Sequence, residues 1–256
     1  MIPGRDCWCV EFGAWDGKVY SNTFHLVESQ SYRPVLIECD PARVAALKME
    51  YPFRDRAVVM QKMVGWSGEN TLDNLLLTTP IPRDFDLLSV DIDGNDYHVW
   101  SAMNQYQPKL VLIEYNPTID NVIDFVQEAD SNVSQGSSAA AMVRLAKSKG
   151  YELIAATRLN LLFCHNSYFP LFNIEDNSLA LMRDDSCCPR IFVGYDGHIF
   201  IRTANDPKLD LLWHNLQVGE QQLQVLPRLF RKNRDRFNLF TRYAYGLYRR
   251  AAKLRN

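Results

Sequence analysis

Along residues 8–164, short apolar runs alternate with segments whose apolar residues recur every three or four positions. The short runs at 8–12, 35–38, 57–60, 85–91 and 110–114 read as strands, bounded by turn residues. Between them, 21–30, 41–50, 97–103 and 137–149 read as helices. Pro41 suits the first helical turn, Ser, Asn and Thr suit the start of 21–30, and Gly150 suits a helix end. The stretches 151–156 and 159–164 close the series as a β pair.

Strands alternating with helices predict an α/β fold: a Rossmann-like, mainly parallel sheet with helices on both faces and a closing antiparallel strand. Near-continuous apolar strands fit a sheet buried on both sides. Four strands end in or next to a carboxylate, at Glu11, Glu38, Asp91 and Glu114. Strand ends of a parallel sheet share one edge, so these acids are expected to converge on one cleft, where such sheets bind ligands.

Beyond residue 164 the pattern changes. Residues 190–201 read as two strands around a Gly/Asp turn, and the chain from 221 onward becomes helical, then basic and aromatic. The expected division is a core at 1–165, an extension with the hairpin at 166–227, and a tail at 228–256. The net charge is −2, but 228–256 holds ten Lys/Arg against one Asp, about +9, which leaves about −11 on 1–227. Aromatic residues spaced among those cations predict a helix lying on an anionic membrane surface. Packing of the same aromatics against the fold is the competing expectation. Nucleic acid is not the expected partner, because nothing else in the chain is basic.

Six cysteines form no C-x-x-C pair, and no His cluster has zinc spacing. They are expected to be reduced thiols. No apolar run is long enough to span a bilayer, and the first strand starts close to Met1. The expected location is cytoplasmic, at most peripheral to the inner face of a membrane.

The run Glu11-Phe12-Gly13-Ala14-Trp15-Asp16-Gly17 carries most of the chemical information. Gly13 and Gly17 allow a tight turn after the first strand. A dinucleotide site would place Gly-x-Gly-x-x-Gly here to cradle pyrophosphate. Glu11 and Asp16 would repel pyrophosphate and attract a sulfonium and an α-amino group, which favours S-adenosylmethionine over NAD. Asp91, Asp93, Glu114 and Asn116 are hard oxygen ligands on adjacent strand ends and could take Mg²⁺ or another divalent cation. Alternatively His98, just past these acids, could serve as general base.

These runs together resemble class I S-adenosylmethionine-dependent methyltransferases of the FkbM type. The resemblance rests on Glu11 to Gly17, Ile37-Glu38-Cys39-Asp40-Pro41, Asn70-Thr71-Leu72-Asp73, Asp91-Ile92-Asp93-Gly94-Asn95-Asp96 and Ile113-Glu114-Tyr115-Asn116-Pro117. The pieces Gly150-Tyr151-Glu152-Leu153 and Asn160-Leu161-Leu162-Phe163 extend it to about residue 164. It implies O-methylation of a sugar hydroxyl on a glycan or glycosylated metabolite. It also implies that Glu11, Gly13, Asp16 and Gly17 face the methionine part, and that Glu38, with Asp40, holds the ribose hydroxyls. Asp91 would lie nearest the methyl, with Asp93 or His98 beside it in catalysis. An NAD-dependent oxidoreductase is a second reading, against which stands the absence of both the glycine fingerprint and a Tyr-x-x-x-Lys pair. A third is a glycan- or nucleotide-binding module without activity.

Overall fold

The structure, a computed structural model, describes residues 2–186, 188–202 and 224–253. Seven strands form the main sheet: β1 (Trp8–Phe12), β2 (Arg33–Glu38), β3 (Val58–Gln61), β4 (Leu87–Val90), β5 (Leu110–Glu114), β6 (Tyr151–Ala156) and β7 (Asn160–His165). Their order is β3-β2-β1-β4-β5-β7-β6. The first five run parallel, and β7 lies antiparallel between β5 and β6. The fold is the Rossmann-like sheet with a closing antiparallel strand that the apolar pattern predicts.

Alternate strand residues feed two cores, as the two-residue period of a strand requires. Val10, Phe12, Val35, Ile37, Leu88, Val90, Val111 and Ile113 face one side. There they meet α3 (Leu72–Leu76), α4 (Asp96–Ala102) and α5 (Ala139–Ser148), with Trp100 fully buried among them. Cys9, Leu36 and Leu87 face the other side, against α1 (Phe24–Gln30) and α2 (Pro41–Glu50) through Val27 and Leu47. Glu11, Glu38 and Glu114 share the parity of this second set, so their side chains leave the sheet on the α1/α2 side.

Some boundaries differ from the sequence pattern for physical reasons. The helix expected from residue 21 starts at Phe24, because Ser21 and Thr23 give their hydroxyls to Glu11. The strand expected over 85–91 is confined to Leu87–Val90, since Asp86 is drawn into an ion pair with Lys109 at its start. The Asn70-Thr71-Leu72-Asp73 run opens the short helix α3.

The first compact unit runs to Asp185, not to residue 165. The chain after β7 stays with the sheet. Leu179 and Met182 of α6 (Leu179–Met182) pack on the main core, and Asn177 donates to Glu152. Buried Arg183 donates to the carbonyls of Pro117 and Ile119 and to the Tyr115 hydroxyl. The second unit, 186–256, contains the expected hairpin, β8 (Arg190–Val193) with β9 (Ile199–Arg202), and the helix α7 (Leu239–Lys253). Residues 203–223 of the expected extension lie outside the described residues. No helix among the described residues is long and apolar enough to cross a membrane.

Candidate functional site

The strand register sets the site. Phe12 lies beside Ile37 and Val90, and Val90 beside Ile113. The next row therefore contains Gly13, Glu38, Asp91 and Glu114, all at the carboxyl edge. Gly13 sits where the β1 turn passes β4. Its φ is +70°, and a Cβ there would come within 2.4 Å of the Asp91 carbonyl oxygen. The glycine is required by its own neighbour strand. Gly17, φ +71°, likewise has Tyr51 and Leu47 where a side chain would go.

Glu11 lies two rows earlier and is buried. Its carboxylate accepts from the hydroxyls of Ser21 and Thr23 at 2.7 and 2.6 Å and from the Asn22 N–H at 2.7 Å. Burial raises its carboxyl above the usual range despite these donors. Glu11 thus moors the segment ahead of α1. Asn22 is thereby held so that its amide spans Ser89 Oγ, at 3.2 Å, and Asp91 Oδ2, at 3.3 Å. The sequence marks Asn22 only as a helix-start residue and gives no signal for Ser89, because their contacts form only once β1 and β4 lie side by side.

Glu38 is also buried. Its Oε1 takes the N–H groups of Cys39 and Asp40, and its Oε2 takes that of Trp15 at 3.0 Å. A carboxylate offers about four acceptor positions, so one remains toward a ligand, not the two that vicinal hydroxyls would use. Arg43 flanks it at 4.0 Å and stacks over the half-exposed Trp15 ring at 4.2 Å. Asp40 and Asp16 have local tasks. Asp40 caps α2 through Ala42 and Arg43, and Asp16 accepts from Lys18 and Val19 within its turn.

Asp91 and Glu114 form the chemical centre. The two carboxyls share a hydrogen bond. Burial, then the charges of Asp91, Asp96 and Asp93, push Glu114 up to about 9. Burial also raises Asp91, and Asp93 adds to the rise. Among the described residues no Lys or Arg pairs with either. Asp96 is buried and accepts from the N–H groups of Ile92 and Gly94, fixing the loop in which Asp93 takes φ +57°.

The metal expectation meets a donor set already in use. Asn116 Oδ1 accepts from Thr118, and its amide donates to the Gln135 carbonyl. Asp96 is committed to its loop. Among the described residues no group of three or more His, Cys, Asp or Glu side chains is arranged to hold a metal ion. This arrangement lends no support to a divalent cation among the described residues.

His98 is displaced from the role of an unencumbered base. Its Nε2–H donates to the Gln127 carbonyl at 2.8 Å, which leaves only Nδ1 to accept a proton. Its ring packs against Trp66 and Tyr97, at 5.9 and 5.5 Å between centroids. Gln127, another residue without a sequence signal, ties the loop after β5 together: Oε1 accepts from Gln135 and Gly136, and Nε2 donates to the Val133 carbonyl.

The start of α1 is closed to phosphate. The Asn22 N–H is taken by Glu11, and those of Thr23 and Phe24 by Ser21 Oγ at 3.2 and 3.0 Å. A pyrophosphate would find none of these amides free and a carboxylate behind them.

No family model matches the chain, and no curated protein matches it. Solved structures give low likeness. TrmK of M. capricolum, in complex with S-adenosyl-homocysteine, matches at 9% identity and TM-score 0.40, over 62% of each chain. A TehB-like SAM-dependent methyltransferase from Corynebacterium glutamicum matches at 14% identity and TM-score 0.38, over 63% of this chain and 81% of that one. The citrinin polyketide synthase CMeT domain matches at 15% identity and TM-score 0.41, over 62% of this chain and 46% of that one. The chemistry of the site has to be read from its own residues.

Proposed function

We propose that the chain is an S-adenosylmethionine-dependent O-methyltransferase acting on a sugar hydroxyl. One observation carries this reading: the half-buried acids Asp91 and Glu114 lie in one row beside the Gly13 turn, with no cation paired to either among the described residues. A buried carboxylate needs a positive partner. A ligand with a sulfonium and an ammonium supplies two. Glu38 in the same row keeps one acceptor position for a ribose hydroxyl, and the exposed face of Trp15 beside it offers a stacking surface for a purine. A dinucleotide, as an oxidoreductase would need, is disfavoured by the closed amides at the start of α1.

The cofactor would bring a methyl group on a sulfonium. The O–CH₃ bond forms as the S–CH₃ bond breaks, leaving a neutral thioether. The protein's part is to align the acceptor oxygen and take its proton. Alignment is worth up to about 7–11 kcal/mol. Asp91, made more basic by burial, or Asp93 would receive the proton. Glu114, in the same row, would keep that carboxylate in place. The sugar reading rests on the aromatic cluster of Trp66, Tyr97 and His98, an apolar surface suited to the carbon face of a sugar ring.

Calorimetric titration with S-adenosylmethionine tests the cofactor, and mass analysis of products from a panel of sugars, nucleotide-sugars and lipid-linked glycans tests the acceptor. Glu38→Ala is expected to weaken cofactor binding by about 1–3 kcal/mol. Turnover is expected to survive EDTA; dependence on added Mg²⁺ would return Asp91, Asp93 and Glu114 to a metal role. Cofactor binding without turnover on any acceptor would favour the non-catalytic module.

A further inference from the structure

The helix α7 divides its aromatic and apolar residues between two faces. On one face Thr241 is buried, and Tyr245 and Tyr248 pack on Phe230, each 5.4 Å between ring centroids. Tyr245 also meets Phe237 at 5.6 Å, and the Tyr248 hydroxyl donates to the Val225 carbonyl. Lys232 and Arg234 lie over the rings of Phe237 and Tyr245. This face accounts for the packing explanation of the tail's aromatics, and it is satisfied within the second unit.

The other face is not. Leu239 and Phe240 are 86% and 71% exposed, Tyr243 is 71% exposed and Leu247 is 49% exposed. At about 100° per residue these four fall within one arc of about 100°. Exposed Arg250 lies within that arc, and Arg242 and Arg249 flank it, all solvent-facing. From 224 to 252 there are eight Lys/Arg and only Asp235 to oppose them, and among the described residues none of the eight is in an ion pair.

We propose that this outer face docks in the plane of an anionic lipid bilayer, with Leu239, Phe240, Tyr243 and Leu247 entering the acyl boundary and the arginines meeting lipid phosphates and carboxylates. The chemistry separates this partner from the others available to a basic helix. Nucleic acid takes up cations but gives Leu239, Phe240 and Leu247 no apolar phase to enter. A second copy of the helix would bury the leucines but set arginine against arginine. An anionic leaflet satisfies both, as amphipathic helices with a cationic border do. A helix of this length, about 22 Å, lies within the interface without crossing it. The proposal is independent of the methyltransferase reading, since cofactor binding in solution is measured apart from it.

Co-sedimentation of the full chain with vesicles decides it. Vesicles of phosphatidylcholine containing about one third phosphatidylserine are expected to bind the protein, pure phosphatidylcholine vesicles far less, and the difference should shrink as salt shortens the screening length to about 3 Å at 1 M. The combined change Arg242→Gln, Arg249→Gln, Arg250→Gln is expected to lower partitioning about a hundredfold. The combined change Leu239→Ser, Phe240→Ser, Leu247→Ser is expected to lower it at least about tenfold. Because all six side chains are exposed, both variants should unfold at the wild-type temperature. Equal binding to neutral vesicles, no vesicle binding, undiminished binding by the serine variant, displacement from vesicles by an oligonucleotide, or a dimer that the serine variant abolishes would each overturn the proposal.

Discussion

Asp91 and Glu114 are chemically alike and are given different states by their surroundings. Glu114 is raised because burial and three other acids act on it together, whereas burial and Asp93 raise Asp91. Glu114→Gln replaces a carboxyl of raised proton affinity with an amide that can donate to Asp91. We expect it to fold normally and to bind S-adenosylmethionine within about threefold of wild type, a difference near 0.6 kcal/mol. Asp91→Asn removes the charge itself, and is expected to weaken cofactor binding by about 1.5–3 kcal/mol, the usual worth of a charged hydrogen bond. Parallel titration calorimetry of the two variants checks this; equal losses would mean that the pair acts as one anionic unit. The acids at strand ends were legible from sequence because each follows an apolar run. Their division of labour was not. That Glu11, Asp16 and Asp40 spend their oxygens on nearby N–H and O–H groups, and that Asn22 reaches Asp91, depends on turn geometry that spacing does not encode.

At the level of elements, the β1 turn and the end of β4 are one construction. Gly13 is in a left-handed conformation, and its missing Cβ is the space in which the Asp91 carbonyl sits. Gly13→Ala therefore incurs both the backbone penalty and a clash with backbone, together about 2–5 kcal/mol. Gly68, at φ +67°, has nothing within 4 Å of its would-be Cβ, so Gly68→Ala should cost only about 1–2 kcal/mol. Denaturant unfolding of both variants measures the difference, and Gly13→Ala should also lose cofactor affinity, because it displaces Asp91. The strand series and its helices could be read from the chain because buried parallel strands and amphipathic helices have distinct periods. The boundary at 165 could not. Nothing in the pattern after β7 announces that Arg183 will reach under Pro117 and Ile119 and keep the stretch up to Asp185 with the sheet.

Across the whole sheet the two edges are electrostatic opposites. At the amino edge Lys109 is buried and donates to Asp86 at 2.6 Å, to Asp6 at 3.2 Å and to the Gly4 carbonyl. Burial alone would raise Asp86, but Lys109 and the N–H groups of Cys7 and Asp6 outweigh it and hold the carboxyl below its usual value. At the carboxyl edge Asp91 and Glu114 are raised and lack a cation among the described residues. The two edges should therefore respond to pH with opposite sign. Asp86, depressed in the folded state, stabilises above the unfolded carboxyl range near 3.8, and this is lost as pH falls through its folded value. Glu114, raised from 4.5 to about 9, stabilises fully below 4.5, and this is lost as pH rises toward 9, at no more than about 1.4 kcal/mol per pH unit. The cofactor-free protein should thus be most stable in mildly acidic solution. Glu114→Gln should flatten the alkaline side without touching the acid side. Lys109→Met should lower stability by about 3 kcal/mol at neutral pH, because it leaves Asp86 charged and buried with only its N–H donors. A cationic cofactor seated by Asp91 would favour the ionised pair, so its binding should release protons below pH 9 and move the optimum upward. Unfolding midpoints across pH, with and without S-adenosylmethionine, measure all three effects. A profile unmoved by the ligand would place its positive charge somewhere other than the carboxyl edge.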